Sequence, residues 1–219
     1  MEENNTQRMH IPDGFLVPSV WIPLWLLAAG VLGFSTRRVN KKLEDRQIPL
    51  LGVLAAFVFA VQMLNVPVAG GTSGHVVGGV LIALFVGPLT GSLVMASILS
   101  VQALFFQDGG ITALGANIVN MGLIGTILGY WLYRLVSSAV GGKKGKLMGA
   151  GVAGWMAIVL GATACSLELA ASGTSPLRVA LPAMVGYHAI IGVVEAVVTM
   201  AVVSFVSRTR PDLLELPKV

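Results

Sequence analysis

Side chains able to hold a metal ion are few in this chain and unevenly placed. Three histidines, His10, His75 and His188, stand against a single cysteine, Cys165. Imidazole nitrogen suits Ni²⁺, Cu²⁺, Co²⁺ and Zn²⁺, and a nitrogen-rich planar set points to Ni²⁺ or Cu²⁺. One cysteine excludes both a thiolate cluster and an intrachain disulfide. Asp13 and Asp108 are too few for the oxygen cages that Mg²⁺ or Ca²⁺ require, and the Cys or His spacing of a closed zinc site is missing. His188 and Glu195 share roughly one helical face of a long apolar run. Ionisable groups there are costly and mark pathways or binding sites, although the two also suit a structural contact between helices. His75 follows the turn-forming Gly70-Gly71-Thr72-Ser73-Gly74 and could equally cap a helix. No Gly-Lys-Ser or Gly-Lys-Thr follows those glycines, so they form no phosphate loop.

The elements that must position these groups are membrane helices. Hydrophobic residues make up 55% of the 219 positions and charged residues 11%, against roughly 25% charged in soluble domains. A water-exposed globule could not be covered with so little polar surface. Seven apolar stretches can be read, at residues 17–34, 48–64, 76–89, 91–106, 117–136, 147–171 and 179–206. A span needs about 20 apolar residues. The third and fourth stretches are parted only by Gly87-Pro88-Leu89-Thr90-Gly91 and are expected to be two spans. The first, followed by Arg37-Arg38 with no small-residue cleavage site, does not resemble a signal peptide. The expected fold is thus an all-α membrane protein, a bundle of about seven transmembrane helices.

Lysine and arginine concentrate in cytoplasmic loops. With the N-terminus outside and the C-terminus cytoplasmic, the inner loops hold Arg37, Arg38, Lys41, Lys42, Arg46, Arg134, Lys143, Lys144, Lys146, Arg208, Arg210 and Lys218. Only Arg8 and Arg178 fall outside. The net charge of +4 therefore reports topology, not nucleic-acid binding. The outer loops, residues 9–14, 65–75 and 107–116, carry no basic residue, which suits reception of a cation. Asp108, Asn117 and Asn120 there could orient a ligating histidine, or serve only in turns and caps.

The motif Met9-His10-Ile11-Pro12-Asp13-Gly14-Phe15-Leu16 resembles the N-terminal signature of the CbiM/NikM family, the substrate-capture subunits of cobalt and nickel energy-coupling-factor transporters. The likeness continues through Pro67, Gly71-Thr72-Ser73-Gly74-His75 and Gly78-Gly79. It extends over Gln102 to Phe106, Asp108-Gly109-Gly110, Leu114 to Asn117 and Asn120-Met121-Gly122, and ends with His188, Ile191-Gly192 and Glu195-Ala196. It implies that Ni²⁺ or Co²⁺, as transported substrate with no resident cofactor, is bound by Met9, His10 and His75. The donors would be the Met9 amine, the backbone nitrogen and imidazole of His10, and the His75 imidazole, a planar set that d⁸ Ni²⁺ prefers. Thr72, Ser73, Asp108, Asn117 and Asn120 would stand behind the ligands, and His188 and Glu195 along an onward pathway. The implied partners are two ATP-binding subunits, a coupling transmembrane subunit and a small extra membrane subunit, all in the cell membrane. Ile11-Pro12-Asp13-Gly14 looks closer to the nickel branch, although the same nitrogens serve both ions.

One departure stands out. Residues 1–8 precede Met9, which then offers an amide nitrogen instead of an amine. We expect the functional chain to begin at Met9, leaving residues 9–219 as one transmembrane metal-capture domain. An intramembrane metal-dependent enzyme using His188 and Glu195 is the rival class. A His-Glu-x-x-His element and a third catalytic-zinc ligand are absent, so no enzyme is expected. A channel would want charge rings or filter carbonyls, for which Gly70 to Gly74 is too thin a basis.

Overall fold

The computed structural model describes residues 10–64, 66–68, 72–216 and 218–219. Each of the seven apolar stretches contains one helix. These are α1 Pro18–Val39, α2 Ile48–Gln62, α3 Gly79–Val86, α4 Pro88–Phe105, α5 Leu114–Val140, α6 Gly142–Ala171 and α7 Leu177–Thr209. Five are long and apolar enough to cross a membrane, all except α2 and α3. Between α2 and α3 lies a short antiparallel hairpin of β1 Val66–Val68 and β2 Thr72–Gly74, with Pro67 opposite Ser73. Large apolar side chains such as Leu26, Phe105 and Ile190 are exposed on the helices, as a lipid-facing surface requires. The chain is a multi-pass membrane protein.

Helix α3 organises the interior. At about 1.5 Å per residue its 8 residues span only about 12 Å, well short of the hydrocarbon thickness of about 30 Å. All of them are buried, and an apolar sequence with no polar face demands this. Val80, Leu81, Ile82, Leu84, Phe85 and Val86 pack with Val58 of α2, Met95 and Ile98 of α4, Ala153 and Ala157 of α6, and Val203 of α7. A helix that starts inside a bundle leaves backbone N–H groups with no intrahelical partner. Here the carboxylate of Glu195 in α7 holds the approach to the helix, accepting the Val77 amide at 2.7 Å and the amide of the N-cap residue Gly78 at 3.0 Å. Gly78 has φ +74°, and a Cβ there would come within 2.8 Å of Val58 Cγ1. Glycine is therefore required at this entry to α3.

In α5, residues Ile118–Leu128 widen into a π-helical stretch, a geometry often found at functional sites. The antiparallel pair α6 and α7 closes the bundle, tied by the Trp155 indole N–H donating to the Ala189 carbonyl at 2.9 Å.

The two ends differ in character. At one, the segment after His10 meets the loops before α5 and before α7. The Gly110 amide donates to the Ile11 carbonyl at 2.9 Å, the Val17 amide to the Ser172 hydroxyl at 3.3 Å, and the Thr174 hydroxyl to the Phe15 carbonyl. At the other, the Val219 carbonyl accepts the Leu89 amide at 2.9 Å. Burial, with Lys146 and Arg134 close by, holds the Lys218 ammonium below its ordinary value. Lys218, Lys146 and Arg134 thus stand together at this end, and the segment after His10 lies at the other.

Candidate metal centre

The segment entering α1 is fastened across the bundle end. Asn117 grips Ile11 at two points: its Oδ1 accepts the Ile11 amide and its Nδ2 donates to the Ile11 carbonyl, both at 3.1 Å. The Asp13 carboxylate accepts the amides of Ile111 at 3.1 Å and Thr112 at 2.7 Å. A Cβ on Gly110 would come within 2.2 Å of the Asp13 nitrogen, so the fit of this segment requires glycine. Ile11 and Leu16 add apolar contacts with Ala113 and Ala116. These contacts hold His10 buried beneath the loop.

His75 reaches the same place from the other side. It lies between β2 and α3, on a stretch fixed by its neighbours. Below it, Glu195 holds Val77 and Gly78. Beside it, the Gln62 amide donates to the Val77 carbonyl at 2.7 Å, and Gln102 in turn donates to Gln62 Oε1 at 2.9 Å. Gln62 and Gln102 are fully buried, where each hydrogen bond is costly to break. Three helices, α2, α4 and α7, therefore set where His75 stands.

The two imidazoles meet edge to face, with ring centroids 5.1 Å apart and planes at 73°. His10 Nδ1 donates to the Asp108 carbonyl at 3.1 Å and lies 3.7 Å from the Asp108 carboxylate. His75 Nδ1 donates to the Val76 carbonyl at 2.9 Å. Burial holds both below the usual histidine range. For His75, pushed down to about 3, neighbouring His10 and His188 add to the effect. For His10, burial outweighs the opposing pull of Asp108. Both are neutral near pH 7, the state in which imidazole binds a metal. Nε2 of His10 is buried without a partner.

This orientation bears on the chelate that the resemblance implies. The backbone nitrogen and imidazole of one histidine close a chelate ring only through Nδ1, which here donates to Asp108. Loading such a chelate requires the His10 ring to turn away from that carbonyl. Among the described residues, no three histidine, cysteine or carboxylate groups converge closely enough to hold an ion. The His10–His75 pair therefore needs further donors. Met9 lies outside the described residues, as do the side chains of Thr72 and Ser73.

The remaining candidates separate. His10, His75, Asn117, Asn120 and His188 line one cavity of about 70 Å³ between α5, α6 and α7. Asp108 supports His10 directly, whereas Asn117 fixes the backbone next to it. Glu195 lines a different, smaller cavity with Val58, Leu81 and Thr199. Among the buried polar groups, Gln62 and Glu168 went unnoticed in the sequence and Gln102 figured only in the family likeness; Glu168 accepts a hydrogen bond from Asn120 Nδ2 at 2.8 Å. The cost of polar groups in apolar helices, which singled out His188 and Glu195, applies equally to them.

Residues 10–213 match the family described as cobalt uptake substrate-specific transmembrane region. A protein of Archaeoglobus fulgidus, provisionally named fused nickel transport protein NikMN, is 42% identical over 209 residues, covering 94% of this chain and 68% of the relative. The cobalt transport protein CbiM of Geobacter sulfurreducens is 35% identical over 216 residues, covering 94% of this chain and 61% of its own length. A crystal structure described as a truncated transition metal transporter superposes with a TM-score of 0.85 at 35% identity, covering 92% of this chain and 99% of that one.

Proposed function

The chain belongs to the family described as cobalt uptake substrate-specific transmembrane region, and from that premise we propose that it captures Ni²⁺ or Co²⁺ at the outer face of the cell membrane. In this reading it is the substrate-binding subunit of an energy-coupling-factor ABC importer and delivers the ion inward. The carrying observation is the His10–His75 pair. The two residues lie 65 positions apart in sequence, yet their neutral, buried rings stand 5.1 Å apart on a shared cavity. Met9, with a free amine, supplies the donors that the pair lacks. The concentration of Lys and Arg in the loops read from the sequence as inner supports a cytoplasmic C-terminus and an outer capture site.

No phosphate-binding loop occurs in the sequence, so energy comes from two ATP-binding subunits acting through a coupling transmembrane subunit, with a small extra membrane subunit alongside. Nickel and cobalt share the same nitrogen donors, and the Ile11-Pro12-Asp13-Gly14 form leans toward nickel.

Uptake of labelled nickel by cells carrying the chain with its partner subunits tests the reading. His10→Ala and His75→Ala should each reduce uptake to background with the chain still present in the membrane. Undiminished uptake in either variant would overturn the assignment.

A further inference from the structure

In all three histidines of the chain, Nδ1 is engaged by a backbone carbonyl. His10 Nδ1 donates to the Asp108 carbonyl, His75 Nδ1 to the Val76 carbonyl, and His188 Nδ1 to the Met184 carbonyl at 2.7 Å. A carbonyl only accepts, so each neutral ring carries its proton on Nδ1 and its lone pair on Nε2. All three rings line the same cavity. The capture site accounts for two of them, and His188, read from the sequence as a pathway residue, stands on the same cavity.

Asn120 on α5 lines this cavity too, and the residue is only 5% exposed. Glu168 of α6 accepts from Nδ2, which fixes the amide so that Oδ1 is the free end. That oxygen is buried and has no partner. An unpartnered carbonyl oxygen inside an apolar bundle is costly, and a cation is a fitting partner for it. The cavity, at about 70 Å³, has room for an ion and a few waters, each needing about 10–15 Å³.

We propose that this cavity is a second station for the imported cation, which passes from His10 and His75 to His188 Nε2 and Asn120 Oδ1. Water fills the other coordination positions, and the Glu168 carboxylate behind Asn120 offsets part of the ion's charge. Two protein donors hold a divalent ion more weakly than a full chelate does, and a site on a transport route must let its ion leave. The inference rests on the capture reading above but concerns residues that the capture chelate does not use.

The test uses the whole chain in lipid nanodiscs, titrated with Co²⁺ alone and followed by calorimetry and visible absorption. In a chain with His10→Ala, a weaker one-to-one event should remain. Adding His188→Gln should weaken it at least about tenfold, and adding Asn120→Asp should tighten it, since a carboxylate replaces the amide oxygen. A purely structural Asn120 would give no tightening. Loss of all Co²⁺ binding with His10→Ala, or residual binding indifferent to both added changes, would overturn the second station and leave capture standing. No binding by the unmodified chain, whether it begins at Met1 or Met9, would overturn capture and the second station together.

Discussion

Trimming the chain so that Met9 carries the free amine should tighten Ni²⁺ binding by at least about a hundredfold over the chain that begins at Met1. An α-amine has a pKa of about 8 and gives up its proton to a metal near neutrality. The peptide nitrogen between Arg8 and Met9 is neutral and must be deprotonated before it can ligate. The loss is that of a direct donor, whereas removing even a supporting residue behind a ligand costs about 10–100-fold. Competition against a nickel-binding dye, with both forms in one detergent, measures the ratio. Loading should also turn His10 away from the Asp108 carbonyl, because only Nδ1 can close the chelate with its own backbone nitrogen. Equal affinities would mean that the amine is dispensable and that the donors lie within the histidine-lined cavity.

Glu195→Ala should be among the most destabilising single changes in the bundle. It leaves the Val77 and Gly78 amides without an acceptor inside the protein, at about 1–3 kcal/mol each. At roughly 2–4 °C per kcal/mol for a chain of this size, thermal unfolding should fall by about 10 °C. Metal affinity should fall with it, because His75 lies on the same stretch. Glu195→Gln keeps one carbonyl acceptor and should lose about half as much. This separates two roles for Glu195. As an ion relay, Glu195→Gln would abolish uptake with little change in unfolding temperature. As the cap of α3, stability and affinity decline together and the glutamine variant is intermediate.

The relation of sequence to structure differs from element to element. Hydropathy over windows of about 20 residues located all seven helices, because burial in lipid imposes one composition along a whole span. It could not reveal that the run at 76–89 begins with irregular chain and holds helix only from Gly79 to Val86. The cause is long-range: Glu195, more than a hundred residues away, stabilises the start of α3, and no local pattern records that contact. The scarcity of metal-binding side chains marked His10, His75 and His188 alike, and the family resemblance alone paired His10 with His75 as ligands. His188 and Glu195 were singled out by the same signal, polar groups in an apolar helix, yet the structure gives them different surroundings. His188 faces the histidine cavity, and Glu195 caps α3. Cys165 and Met184 form part of the cavity wall, but apolar neighbours in sequence gave no sign of it.

Capture in this protein requires His10 and His75 to be nitrogen donors to one ion. Calorimetric titration of the chain beginning at Met9 with Ni²⁺ and then Co²⁺, beside His75→Ala, tests this most directly. The account predicts one ion per chain, bound tightly by the parent and at least about a hundredfold more weakly by the variant. Binding that is unchanged in His75→Ala, or absent from the parent for both ions, would contradict it.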